Sequence, residues 1–265
     1  MDRRGRSARP DVRRAEVGTL SAVHRQVLVL GIVSETLQQL LDISIFWEYR
    51  TVLLRGLAVN FYVFVCAAIV ALSLGLGAAL LRVSRRRPLR ALGTLHVEIF
   101  RNAPDYVMVV WVHFVLPLLI GTLLHTRFEL NPFVSAIIAL GFVYSGYFAE
   151  TFRAGIEAVP IGQIEAGRSC GMSDRHILWR IVLPQVVRRM LPESINQFIS
   201  LFKATTIVSL IAVPDLMYQV SMITQQEMRP LPLYTGAALV YFAVILVASY
   251  ALRAASERWR NKIFA

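Results

Sequence analysis

Glu150, Glu157 and Glu165 are the carboxylates of this chain best grouped for acid–base work, close in sequence and interleaved with Arg153 and Arg168. A multipass membrane enzyme could place such groups near a membrane surface, but catalysis also needs a nucleophile, a metal cluster or a phosphate loop converging on them. None converges in the sequence. His24, His96, His113, His125 and His176 include no pair at helical ligand spacing, which argues against metal binding. Cys66 lies in an apolar run and Cys170 in a basic loop, so both read as free thiols. No G-x-x-x-x-G-K-[ST] run occurs, so the chain holds no P-loop for ATP, and GLG at Gly75 to Gly77 follows no strand. Any ATP-derived energy must then come from another subunit.

The elements that position these residues are set by hydropathy. Of the 265 residues, 56% are hydrophobic and 17% charged, and the mean hydropathy is +0.55. A net charge of +11 invites a nucleic-acid reading, yet the arginines form short clusters bordering long apolar runs. That is the pattern of a polytopic membrane protein. A span of about 30 Å of hydrocarbon needs roughly 20 residues. The runs predict spans near 52–82, 95–121, 130–153 and 233–253. A fifth, near 188–213, is masked by Glu193, Asn196, Gln197, Lys203, Thr205 and Thr206. Within the first, Ala67, Ala71, Gly75 and Ala79 recur every fourth residue, a small-residue strip suited to close packing within the chain.

Arg82, Arg85, Arg86, Arg87 and Arg90, and then Arg153, Arg168, Arg175, Arg180, Arg188 and Arg189, mark two loops as cytoplasmic. Five spans with an outside N-terminus satisfy that alternation. The expected fold is an all-α membrane protein with five transmembrane helices and one domain over residues 51–265. A basic, disordered arm over residues 1–26 and an amphipathic interfacial helix over 27–50 precede it. Leu30, Val33, Leu37, Leu40 and Leu41 form the apolar stripe of that helix. A sixth span there is the alternative, opposed by Glu35 and Asp42, since an acidic residue near a helix centre costs about 2.5–3.5 kcal/mol. The start is too long, and its apolar part too short, for a cleaved signal.

The loop over 157–185 is overbuilt for a connector. Pro160 suits a first helical turn, Gly171 a left-handed C-cap and Ser173 the N-cap of a second helix ending at Pro184. Ala166 and Gly167 leave a small surface against which a partner could pack.

Glu165, Ala166, Gly171, Ile181, Leu183 and Pro184 stand at the spacing EAA-xxx-G-x(9)-I-x-LP, with Gly167 in place of the second alanine. This loop resembles the Glu-Ala-Ala loop of ABC importer permeases. Val97, Glu98, Phe100, Arg101, Asn102 and Pro104 are similar to VE-x-FR-[GN]-x-P of the polar amino-acid permeases, the histidine, glutamate, glutamine, arginine and opine type. SGYFAETFRAGIEAVPIGQIEAG and LFKATTIVSLIAVPDL are similar to two further stretches of that family. Ala204, Thr206 and Asp105 depart from its usual residues. The resemblance covers roughly residues 51–260.

The resemblance implies a permease subunit of an ATP-driven importer in the cell inner membrane, not itself an enzyme and binding no cofactor. Its implied partners are an ATPase dimer that uses the ATP, a second permease of the same or homologous chain, and an extracytoplasmic substrate-binding protein. Beyond these it touches membrane lipid and no nucleic acid. Glu165, Ala166, Gly167, Gly171, Ile181, Leu183 and Pro184 would couple to the ATPase. Polar amino acids, or else opines or another nitrogenous solute, need polar groups in an apolar wall. Asn196, Lys203, Thr205 and Thr206 are the candidates, with Glu98, Asn102, Asp105 and Glu150 behind them.

Overall fold

Helix is the only regular structure among the described residues, as hydrocarbon demands of a chain that must satisfy its own backbone. The computed structural model describes residues 44–262 and, before them, Leu28, Gly31, Ser34 and Glu35. The basic arm 1–26 and the apolar stripe of the expected interfacial helix lie outside the described residues. The helices are α1 (Ser44–Glu48), α2 (Arg50–Val83), α3 (Arg87–Arg101), α4 (Asp105–Leu124), α5 (Pro132–Glu157), α6 (Ile161–Ser169), α7 (Asp174–Ile211), α8 (Leu216–Glu227) and α9 (Pro230–Lys262). Five of them, α2, α4, α5, α7 and α9, are long and apolar enough to cross a membrane.

Three boundaries differ from the sequence expectation. The second span begins at Asp105, not near 95, because Pro104 supplies no N–H and drives Ala103 away from helix. Instead α3 runs up to that break and Asn102 closes its end, donating from Nδ2 to the Glu98 carbonyl at 2.8 Å. The fourth span begins at Asp174 and runs through Pro184, where a helix end was expected. A π turn, Leu178–Val182, widens the helix just before Leu183 and Pro184. The same device, Trp111–Val115, precedes Leu116 and Pro117 in α4. A proline clashes with the carbonyl four residues back, and the wider turn accommodates it without ending the helix. Residues 214–232, expected as a loop, hold α8, whose N-cap Asp215 accepts from the Tyr218 N–H at 2.8 Å.

The core is the α2–α5 pair. Ala67, Ala71 and Ala79 of the small strip are fully buried, and a Cβ on Gly75 would lie 2.9 Å from Phe148 Cβ of α5. The strip thus serves packing within this chain. Val63, Leu140, Val143, Leu201 and Val208 extend the same core into α7. A second cluster joins Ile45 of α1 and Leu53 of α2 to α8 and α9.

One buried amide links these bodies. Asn60, 0% exposed in α2, donates to the Thr205 carbonyl at 3.2 Å, Thr205 Oγ1 at 3.1 Å and Asp215 Oδ2 at 3.1 Å. Its Oδ1 accepts from the Leu216 N–H and the Tyr241 hydroxyl, each at 3.1 Å. Replacing Asn60 by leucine strands Asp215 Oδ2 and the Leu216 N–H. We expect Asn60→Leu to destabilise the detergent-solubilised chain by on the order of 3 kcal/mol, since each stranded buried polar group costs about 1–3 kcal/mol. Thermal or denaturant unfolding of the full-length protein measures this, and an unchanged midpoint refutes the role of the hub.

Candidate functional site

The α6 corner is built from backbone bonds. Pro160 stands one position before α6, as its N-cap, and Gln163 N donates to its carbonyl at 3.1 Å. At the other end Gly171 N bonds the Arg168 carbonyl at 2.9 Å and Met172 N bonds the Gly167 carbonyl at 3.1 Å. That pairing is a Schellman closure, and Gly171 adopts the left-handed φ of 77° that it requires. Ser173 Oγ then caps α7 by accepting from His176 N at 3.4 Å, and Arg168 Nε reaches across the corner to Asp174 Oδ1 at 3.0 Å. Chain direction reverses within a few residues, and no backbone group there needs a flexible loop.

Gly167 proves to face inward. A Cβ at that position would lie 3.0 Å from Ile177 Cγ1 and 3.2 Å from Ile181 Cδ1, so the glycine lets α6 lie close on the first turns of α7. It is buried and offers no surface to a partner, unlike the sequence reading. Glu165 and Ala166 are on the open side. Gln185 Nε2 ties the two helices by donating to Gln163 Oε1 at 2.6 Å and to the Ile181 carbonyl at 2.8 Å. The latter bond satisfies a carbonyl beside the Pro184 interruption. Leu183 is exposed and Pro184 half-buried, both in the helix rather than at its end.

Two exposed apolar residues near the corner escaped sequence reading. Ile161, 72% exposed, stands one turn before Glu165 on α6, and Trp179, 61% exposed, lies half a turn around α7 from the Ile177 and Ile181 that hold α6. Exposed apolar area rimmed by charge marks a contact surface. Trp179, a large aromatic in a polar stretch, was the available signal.

Above the corner, Glu150 of α5 takes hydrogen bonds from Arg82 of α2 and Arg153, and Arg153 also pairs with Glu157. Arg189 of α7 donates to the Ala158 carbonyl. The basic groups of three helices therefore gather at one end of the bundle. Glu150 is held in this ion cluster, which ties α2 to α5 at the point where the chain leaves for α6.

The remaining polar candidates divide. Thr205 is 0% exposed and belongs to the Asn60 hub. Asn196 and Lys203 lie open on one face of α7, with Glu193 and Ser200 at helical spacing between and beside them. Thr206 Oγ1 donates to the Lys203 carbonyl at 2.9 Å. On α3, Glu98 and Asn102 are exposed and bonded to each other at 3.1 Å. Asp105 accepts from the Tyr144 hydroxyl at 3.2 Å. A Cβ on Gly146, midway along α5, would lie 2.8 Å from the Arg101 nitrogen, so the break between α3 and α4 sits opposite the middle of a spanning helix. The start of α4 also packs against the turn 205–211 that follows Lys203. Charged groups at such depth cost about 2.5–3.5 kcal/mol each against lipid and face water or protein instead.

A family model described as binding-protein-dependent transport system inner membrane component matches residues 51–261. The chain is 34% identical over 206 residues to the arginine ABC transporter permease protein ArtQ of Escherichia coli strain K12, covering 71% of this chain and 87% of that protein. It is 35% identical over 214 residues to the probable glutamine ABC transporter permease protein GlnP of Bacillus subtilis strain 168, covering 80% and 93%. Among solved structures, an amino acid ABC transporter crystallised with histidines superimposes at a TM-score of 0.75 and 29% identity, over 82% of this chain and 99% of that one. The inward-facing MetNI methionine ABC transporter shares the fold, at a TM-score of 0.59 and 18% identity over 78% and 97%.

The corner generates a local test. An alanine at 171 must hold a left-handed backbone, which costs about 1–2 kcal/mol for an L-residue. Gly171→Ala is expected to speed amide hydrogen exchange at Met172, whose bond closes the corner, while exchange in α2 and α5 stays unchanged. Equal protection of Met172 in both proteins would rule out the glycine as the closing element.

Proposed function

The chain belongs to the family of binding-protein-dependent transport system inner membrane components, and on that premise we propose that it is the permease subunit of an ATP-driven importer of polar amino acids. It lies in the cell inner membrane, with the α6 corner and the arginine-rich end of the bundle in the cytoplasm. The chain binds no cofactor. An ATPase dimer that hydrolyses ATP grips the exposed Glu165–Ala166 side of α6, with Ile161 as an apolar contact. Two permease chains, identical or homologous, enclose the path, and an extracytoplasmic binding protein delivers the solute.

The observation that carries this reading is the capped α6 corner with its uncovered Ile161, in a chain of a transport family. A helix closed by a Schellman pair and packed through Gly167 on Ile177 and Ile181 transmits displacement as a solid body. Force applied at Glu165 reaches α7 through that contact and α5 through residues 158–160. The Arg189 bond to the Ala158 carbonyl and the Glu150 ion cluster link the same two helices and α2.

For the solute, the open polar face of α7, which runs from Asn196 inward to Lys203, and the break with Glu98 and Asn102 supply hydrogen-bonding groups of both signs. An α-amino acid carries both charges and matches such a wall better than a purely anionic or apolar solute. Of the relatives named above, one is an arginine permease protein and one a probable glutamine permease protein, which supports the polar amino-acid class.

Uptake tests both parts. The full chain is reconstituted with its ATPase and binding protein, and ATP-driven accumulation of labelled arginine, glutamine, glutamate, histidine and octopine is compared. Uptake of one or more of the amino acids is expected, and accumulation of octopine alone overturns the solute class. Gly171→Trp should lower uptake by at least about tenfold, the factor that corresponds to 1.4 kcal/mol, while ATPase turnover persists uncoupled. Wild-type uptake in this variant removes the corner from the mechanism.

A further inference from the structure

The last turn of α3 holds a charge that nothing in the chain neutralises. Arg101 is exposed and has neither an ion pair nor a hydrogen bond among the described residues. A Cβ on Gly146 would lie 2.8 Å from the Arg101 nitrogen, and Gly146 stands near the middle of the spanning helix α5. A guanidinium at that depth faces protein or water, and charges so placed mark solute and ion pathways. The surface of α3 divides accordingly. Leu92, Leu95 and Ile99 are exposed along one stripe and suit lipid. Glu98 and Arg101, exposed and three residues apart, lie on the stripe beside it, which only water or a polar solute satisfies.

Glu98 is close enough along the helix to neutralise Arg101. It does not, because Asn102 claims it. Asn102 Nδ2 donates to Glu98 Oε2 at 3.1 Å and to the Glu98 carbonyl at 2.8 Å. Asp105, the next carboxylate along the chain, accepts from the Tyr144 hydroxyl at 3.2 Å. Both nearby carboxylates are thus engaged by uncharged donors. The negative end of the α3 dipole favours a cation at this place, yet Arg101 makes no hydrogen bond to the carbonyls there. What remains is a planar guanidinium with its donors free, the shape that grips a carboxylate through two parallel hydrogen bonds.

We propose that Arg101 binds the α-carboxylate of the transported amino acid, while Glu98, one turn earlier on the same stripe, receives the α-ammonium. Selection among amino acids then falls to residues other than these two. Asn102 acts without touching solute, by holding Glu98 off Arg101 so that the guanidinium stays available. The assignment rests on the polar amino-acid reading above and adds the residue that reads the group common to all such solutes.

Binding measured without the binding protein tests it. The full-length chain, assembled with its second permease and its ATPase subunits in nanodiscs, is brought to dialysis equilibrium with labelled arginine, glutamine, glutamate or histidine, with the α-carboxamide of each as competitor. The wild type should bind at least one of these and favour it over its carboxamide by about tenfold or more, the scale of hydrogen bonds to a charged group. Arg101→Gln should lower the affinity by about the same factor and erase the distinction between acid and amide. Arg101→Lys, which keeps the charge without the fork, should fall between the two. Asn102→Ala should narrow the distinction by letting Glu98 pair with Arg101. Because Arg101 bonds nothing in the chain, Arg101→Gln should keep the wild-type unfolding midpoint; a lowered midpoint assigns the residue to the fold and overturns the proposal. An Arg101→Gln complex that separates acid from amide by the wild-type factor also overturns it and leaves the transport reading intact. If the wild-type complex binds none of the four amino acids, the transport reading and the assignment fall together.

Discussion

A primary amide buried in a membrane helix must find partners for two donors and two acceptor lone pairs, and Asn60 finds them all on other elements. That requirement fixes the architecture beyond α2. It holds the tightened last turns of α7 through Thr205, the start of α8 through Asp215 and Leu216, and α9 through Tyr241. Apolar packing alone tolerates sliding of helices in lipid, since lipid tails solvate a leucine as well as another leucine does. The amide does not tolerate it, because any shift leaves a polar group in hydrocarbon.

Interruptions of helix are placed where this scaffold can absorb them. The two π turns each stand before a Leu-Pro pair, at Leu116–Pro117 and Leu183–Pro184, so a helix-breaking residue becomes a local widening. The gap at Asn102–Pro104 is different in kind, a complete break between α3 and α4 opposite the middle of α5. The Asn102 side chain closes the Glu98 carbonyl, and Asp105 at the start of the next segment is held by Tyr144. Irregular backbone at that depth belongs where it is lined by protein or water. Glu98, Asn102 and Asp105 lie beside it.

Much of this was legible from residue types. Five apolar runs, with Pro160, Gly171 and Ser173 as punctuation, predict elements whose local chemistry depends on a few neighbours only. The Schellman corner follows from a glycine in a helix-favouring stretch. Other features depend on tertiary partners and carry no local signature. Thr205 reads as a solvent-seeking hydroxyl until Asn60, far away in sequence, claims it. Gly167 reads as outer surface until Ile177 and Ile181 fold back upon it. Glu150 reads as chemistry, and Arg82 makes it part of an ion cluster. Helix α8 was hidden because its residues are too few and too polar for a hydropathy criterion, although Asp215 supplies the cap. The open face of α7 was anticipated through Asn196 and Lys203, since charges in a spanning helix admit few destinations.

Gly75 meets Phe148 and Gly141 meets Val70, where an added Cβ would stand only 2.6 Å from Val70 Cγ1. Helices α2 and α5 thus interlock nearly backbone to backbone, with little compressible side-chain volume between them. Such a pair resists shear as a keel does. Bending falls instead on the thinner joints, the gap before Asp105 and the two widened turns. The stiffest seam in the molecule thereby determines where it can flex.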